Sequence, residues 1–263
     1  MEQNNTPKPS IQLEDYPLLT EISEQVYKQL MSSPSKYLYF DEIKRSITIK
    51  KAFFKKNKQI PNVVRYLAQV NESDIHIHQA KRYPLLDASQ FEDDIMASSP
   101  KLKTIAIILE SPHVDEYTLR EEKLIPIAAA QGTIGRKIEA NIEKLLWNLK
   151  RESLLKDELY RIVIMNAIPY QTSLYHIHQK NMDNSFRELR DKIWIKMWSE
   201  ISSIRNEFNK QINSFKKDSI LINSCTKSIK PFINQELVRL QHKFFLLESF
   251  IDGAMGGKFV FIK

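Results

Sequence analysis

Three things are scarce in this chain, and each scarcity excludes something. One cysteine, Cys225, stands among 263 residues, so no disulfide within the chain staples its core, and a reducing compartment suits it. No apolar run reaches the roughly 18 residues of a membrane-spanning helix. The first ten residues, MEQNNTPKPS, lack the apolar core of a signal peptide. The expectation is a soluble, cytoplasmic protein with no membrane partner. Glycine is the third scarcity, with only five residues against an average usage of about 7%. Gly132 and Gly135 form one group, and Gly253, Gly256 and Gly257 the other. A chain so sparing with glycine places it where backbone takes φ > 0 or lies close to something.

Basic residues are in excess. Lysine and arginine number 39 against 32 acidic residues, a net charge of +7, which favours an anionic partner. Residues 37–58 concentrate this charge: Lys44, Arg45, Lys50, Lys51, Lys55, Lys56 and Lys58 stand among Tyr39, Phe40, Phe53 and Phe54. Cations interleaved with aromatics suit a nucleic-acid backbone plus base stacking, as well as an ordinary solvated basic face.

The chain is organised around KTIAIILESPHVDEY, residues 103–117. An apolar, isoleucine-rich run ending in turn chemistry reads as a strand buried on both faces. Pro112 ends it, since proline lacks the N–H a central ladder needs. The strand therefore delivers Glu110, Ser111 and His113 to its own C-terminal edge, where open α/β sheets bind ligands. Further strands are predicted at 160–166, 218–223 and 243–248, with helices at about 131–150, 184–215 and 226–240 and a short final strand at 258–262. Strands alternating with helices imply parallel βαβ units. The predicted fold is α/β: a three-layer α/β/α arrangement around a mostly parallel four-stranded sheet, with a mostly helical N-terminal extension. Residues 1–12 read as a disordered tail, 13–100 as a helical, basic extension packed on the core, and 101–263 as the α/β domain. Residues 13–32 carry apolar side chains at helical spacing; 59–100 look mixed and mostly helical, with a loop near Pro84.

Four polar strand ends then share one edge: Glu110, Asn166, Asn223 with Ser224, and Glu248 with Ser249. An asparagine amide carries one donor group and one acceptor, which suits a pyrimidine edge. Glu110 is the candidate acid of that edge, with Asp115 and Glu116 as second choices. Gly132, Thr133, Gly135 and Arg136 open a helix, where backbone N–H groups and the helix dipole can receive a phosphate. Lys258, after the loop containing Gly253, is placed to do likewise. The pairs His76/His78 and His176/His178 would each share a face on a strand, but no carboxylate or cysteine pattern accompanies them. No metal and no cofactor is expected.

These residues resemble the uracil-DNA glycosylase superfamily over about 103–262. Its first strand ends in a motif of the G-Q-D-P-Y-H or G-E-A-P-G type, and LESPH stands in that place. A small-residue loop opening a helix corresponds to GTIGRKIEANIEKLL. Its second strand, L-L-L-N-A-V, corresponds to IVIMNAI. Its third strand and helix resemble SILINSCTKSIKPFI, and LLESFIDGAMGG occupies the place of its last motif. The resemblance implies a hydrolase that flips a base out of DNA and cleaves its N-glycosidic bond to leave an abasic site, in DNA repair or antiviral defence. It implies catalytic roles for Glu110, Ser111, His113 and Asn166, and base contacts from Asn166, Tyr117, Tyr170, Glu248 and Ser249. His113 falls where some members place a wall against a 5-substituent, which points to a modified pyrimidine, in modified or foreign DNA. Ser111 stands where some branches carry an activating aspartate, and Glu248 or Ser249 replaces the histidine of the last motif. The alternatives are therefore a non-catalytic DNA-binding module of the same fold, or a hydrolase of a nucleotide or other phosphate ligand.

Overall fold

The computed structural model describes residues 7–16, 19–33, 35–79, 101–120, 123–179, 183–248 and 260–262. The chain forms two compact units, Met1–Gln59 with Tyr170–Arg205, and Ile60–Pro169 with Asn206–Lys263. In chain order the first segment supplies β1 (Ser10–Leu13), β2 (Leu19–Glu21), α1 (Glu24–Met31), β3 (Leu38–Asp41) and β4 (Ser46–Ile49). The second supplies β5 (Val63–Val70), β6 (Ile75–Gln79), β7 (Lys103–Leu109), β8 (Tyr117–Arg120), β9 (Lys123–Pro126), α2 (Thr133–Arg151) and β10 (Leu159–Asn166). The chain then runs through α3 (Tyr175–His178), α4 (Asn184–Glu200) and α5 (Ser202–Asn213), and on to β11 (Ile220–Asn223), α6 (Lys230–Val238), β12 (Phe245–Glu248) and β13 (Val260–Phe261).

In the first unit, the strands order as β2-β1-β4-β3. Only the β1–β4 pair is parallel. α1 begins at Ser23, whose hydroxyl accepts the Val26 N–H at 3.3 Å, satisfying one of the donors a helix start leaves open. It buries Val26, Tyr27 and Leu30. Ile193 and Lys196 of α4 line one hollow with Ile11, Leu13 and Ile49 of the sheet.

In the second unit a seven-stranded sheet runs β13-β12-β11-β7-β10-β5-β6. β7 is central, and all seven of its residues are buried, which is why it is continuously apolar from Ile105 to Leu109 instead of alternating. β12, β11, β7 and β10 are mutually parallel. The flanking strands β13, β5 and β6 run antiparallel to their neighbours. The register sets Asn166 beside Leu109, and Asn223 beside both Ile108 and Glu248. Between β10 and β5, Ile162 pairs with Tyr66 while Val163 pairs with Val64. Arg65 is thus the extra residue of a β-bulge, a device that re-aims a side chain.

The predicted fold is corrected on two counts. The sheet is not a four-stranded parallel one but a seven-stranded mixed one. The N-terminal part is also not a helical extension: residues 10–79 hold six strands and one α-helix among those described. The apolar spacing of 13–32 is helical only over α1, Glu24–Met31; ahead of it Asp15 takes left-handed backbone, φ 69°, which turns the chain after β1. In β5 the buried residues Tyr66, Ala68 and Val70 follow the two-residue period of a strand. Ser10–Leu13, expected as the end of a tail, is a strand bonded to a neighbour on both sides. The helix expected over 184–215 is two helices, broken at Ile201 (φ −98°, ψ 89°). No helix among the described residues is long and apolar enough to cross a membrane.

Candidate functional site

The C-terminal edge of the parallel strands carries two polar networks. In one, Asn223 Nδ2 donates to the Lys230 carbonyl at 3.1 Å and to Asn234 Oδ1 at 2.6 Å. Asn223 Oδ1 accepts the Cys225 N–H at 3.1 Å. Asn234 in turn donates to the Glu248 carboxylate, whose other oxygen lies 3.8 Å from Lys230 Nζ. Burial holds the Lys230 amine below its ordinary pKa, while the Glu248 charge pulls it back up. Burial also pushes the Cys225 thiol well up, so it is a poor nucleophile. Glu110, next along the edge, accepts from the Thr226 N–H at 3.2 Å and from its hydroxyl at 2.6 Å. These bonds tie α6 and its leading loop to the sheet.

The second network centres on Glu116, which closes a short 3-10 turn, Val114–Glu116, just before β8. The residue is 3% exposed. Its Oε2 accepts from Asn166 Nδ2 at 2.8 Å, and its Oε1 from the Ala130 N–H at 3.0 Å. Its main chain is held as firmly, with the N–H donated to the His113 carbonyl at 3.1 Å and the carbonyl accepting the Ile127 N–H at 2.8 Å. Ala130 takes left-handed backbone, φ 60°, a conformation alanine rarely adopts. The bulged Arg65 is 1% exposed and donates from Nη2 to the Ala129 carbonyl at 2.9 Å. Burial pushes the Glu116 carboxyl up to about 7; the hydrogen bonds from Asn166, Ala130 and the His113 backbone, and the Arg65 charge, pull the other way. Glu116 therefore changes charge near neutrality, where carboxylates ordinarily do not.

Asn166 is also 3% exposed. Its amide nitrogen is satisfied by Glu116, but its Oδ1 is buried with no hydrogen-bond partner among the described residues. A buried acceptor left unmade costs about 1–3 kcal/mol, and native folds tolerate few such atoms without a use for them. It stands at the end of a parallel strand, where a ligand in an α/β sheet makes its contacts.

The remaining candidates fall in varied places. Ser111 is half-buried beside Glu110. His113 is exposed, its Nδ1 3.2 Å from Asp115 Oδ2. That same Oδ2 occupies the space a Cβ on Gly132 would need. Gly132 thus lets a carboxylate rest at the start of α2, a favourable place for negative charge, and the one where the sequence suggests a phosphate. Thr133 accepts from Arg136 Nη2 at 3.0 Å, and Gly135 is buried within α2. Tyr117 is buried. Tyr170 belongs to the first unit, where its hydroxyl accepts from Gln59 at 2.9 Å and its ring packs edge-on to Phe54. Phe53 of the basic stretch is likewise buried, while Tyr39 is open. His178 is buried, stacked on Phe186 with centroids 4.0 Å apart. Ser249, Gly253 and Lys258 lie outside the described residues. Among the described residues no group of three or more His, Cys, Asp or Glu is placed to hold a metal.

The close approach at Gly132 has a measurable consequence. Gly132→Ala should force Asp115 aside and cost about 1 kcal/mol in denaturant unfolding. In the double variant with Asp115→Ala the two losses should sum to less than their separate values. Full additivity would show that the two do not meet.

The chain matches no protein-family model, no curated protein and no solved structure.

Proposed function

We propose that this protein is a DNA glycosylase-like hydrolase that draws a pyrimidine, most suitably a modified one, out of DNA and hydrolyses its N-glycosidic bond. The observation that carries the reading is the unpartnered Oδ1 of Asn166. A flipped base is read by hydrogen bonds to its Watson–Crick edge, and the N–H of a pyrimidine ring would satisfy this buried acceptor. The bond from the sugar C1′ to the base nitrogen breaks, and its electron pair leaves with the base. Water adds hydroxide to C1′ and its proton goes to the base. Two carboxylates follow the end of β7, the strand paired with that of Asn166, and are the candidates to orient that water and offset the sugar's positive charge: Glu110, held by Thr226, and Asp115, held beside His113. The net charge of +7 suits a DNA backbone.

The test is incubation with single- and double-stranded oligonucleotides carrying uracil, 5-substituted uracils or modified cytosines, followed by alkali. Strand scission at the modified position supports the reading, and intact strands across the whole panel would sink it. The engagement of Glu110 with Thr226 favours one alternative, a binding module of the same site without chemistry. Salt-dependent binding with no abasic product would select it.

A further inference from the structure

Glu116 has two oxygens with different duties. Oε1 is committed to the Ala130 N–H, and Oε2 meets the Asn166 amide. An ionised carboxylate only accepts. The Asn166 group turned toward it must then be the NH2, and the group left over is the oxygen, which is the atom found without a partner. We propose that Glu116 is a positioning residue that sets the orientation of the Asn166 amide, and through it selects a ligand offering an N–H donor, such as the N3–H edge of a uracil-type base. The selection of a base rests on the base-release reading above; the orientation of the amide does not.

A corollary follows from the same geometry. With Oε1 pinned by Ala130, a proton on Glu116 resides on Oε2 and points at Asn166. The carboxylic acid then donates, Asn166 turns over to offer its oxygen to Glu116, and its NH2 becomes the group left for a ligand. The site then prefers a ring nitrogen that accepts, as N3 of a cytosine-type base does. The same exchange occurs permanently in Glu116→Gln. The Ala130 N–H requires the glutamine oxygen, so the glutamine NH2 faces Asn166. Among the described residues, the charged side chain bearing on Glu116 from another strand is Arg65 of β5, and the His113 backbone adds a hydrogen bond to its carboxyl; His113 and Asp115 stand on its own turn or at its entrance. Arg65 keeps its charge throughout the range in which Glu116 titrates.

Two measurements on the full chain decide the matter. The first is the side-chain amide signal of Asn166 in 15N-labelled protein, followed from about pH 5 to about pH 8.5, a range bracketing the charge change of Glu116. In the wild type it should move in one step, and in Glu116→Gln it should hold at the low-pH position. The second uses labelled duplexes carrying one 2′-fluoro-deoxyuridine or one 2′-fluoro-deoxycytidine, whose glycosidic bonds resist cleavage, in fluorescence anisotropy. The wild type at high pH should prefer the uridine duplex by about tenfold, one buried hydrogen bond made against one left unmade. That preference should reverse at low pH, and in Glu116→Gln it should be reversed at every pH. An Asn166 signal indifferent to pH in the wild type overturns the proposal, as does a Glu116→Gln protein that keeps the wild-type preference. Should the variant not fold, the wild-type titration still decides. If the amide turns over as expected but no duplex in the alkali panel is cut, base release fails and the amide orientation stands.

Discussion

Asn166→Ala should reduce abasic-site formation by on the order of a hundredfold or more, read as alkali-labile product per unit time on the best substrate of the panel. That is the usual scale for removing a preorganised hydrogen-bonding group aimed at the reacting ligand. Loss of structure would not account for it. The substitution removes the Nδ2 donor of Glu116, but also the buried orphan Oδ1, and Glu116 can take up a proton in compensation. A cooperative melt close to that of the wild type at about pH 6, with product formation lost, would assign the effect to ligand binding. Undiminished product would remove Asn166 from the reaction.

The second large effect is on stability. The Glu116 carboxyl ordinarily titrates near 4.5 and in the fold near 7. Below the lower value both folded and unfolded states hold the proton, and the full benefit of a neutral buried group is present. As pH rises toward 7 the unfolded state has already released its proton while the folded state still binds one, so stability falls. The loss is complete once the folded group ionises, and amounts to about 3 kcal/mol for this residue. Glu116→Gln stays neutral and should lack that slope. The wild-type minus variant difference, from denaturant unfolding at about pH 4.5 and about pH 8, should therefore change by about 3 kcal/mol, with the variant the more stable at high pH. A difference constant with pH would place Glu116 in water, not in the core.

The strands that were legible in the sequence are those whose environment is the same on both faces. β7, β10 and β11 are buried throughout or nearly so, and a short, continuous apolar run bounded by turn residues has that environment as its simplest cause. β5 is harder. Its inward positions alternate correctly from Tyr66 to Val70, but the bulge at Arg65 shifts the period midway, and an arginine in that place argues against burial. β1 and β2 are four and three residues long, too short for a period to show. Among the site residues, Asn166 was legible because strand and polar end stand together. Glu116 ranks behind Glu110 in the sequence, since Asp115 and Glu116 adjoin in an acidic, polar stretch. Nothing local distinguishes a carboxylate that will be covered by residues 127–130 from one left in solvent. The covering segment is eleven or more residues further on, and the partner amide lies fifty residues away.

The first unit is assembled from Met1–Gln59 and Tyr170–Arg205, which bears on how the chain is made. A ribosome releases the whole four-stranded sheet well before α4, the helix whose Ile193 joins Ile11, Leu13 and Ile49. At about 5–20 residues per second, the sheet waits on the order of ten seconds for that helix. During that interval its apolar face is uncovered, so the segment Met1–Gln59 of the nascent chain is where chaperones should bind. A release of that protection should coincide with emergence of α4.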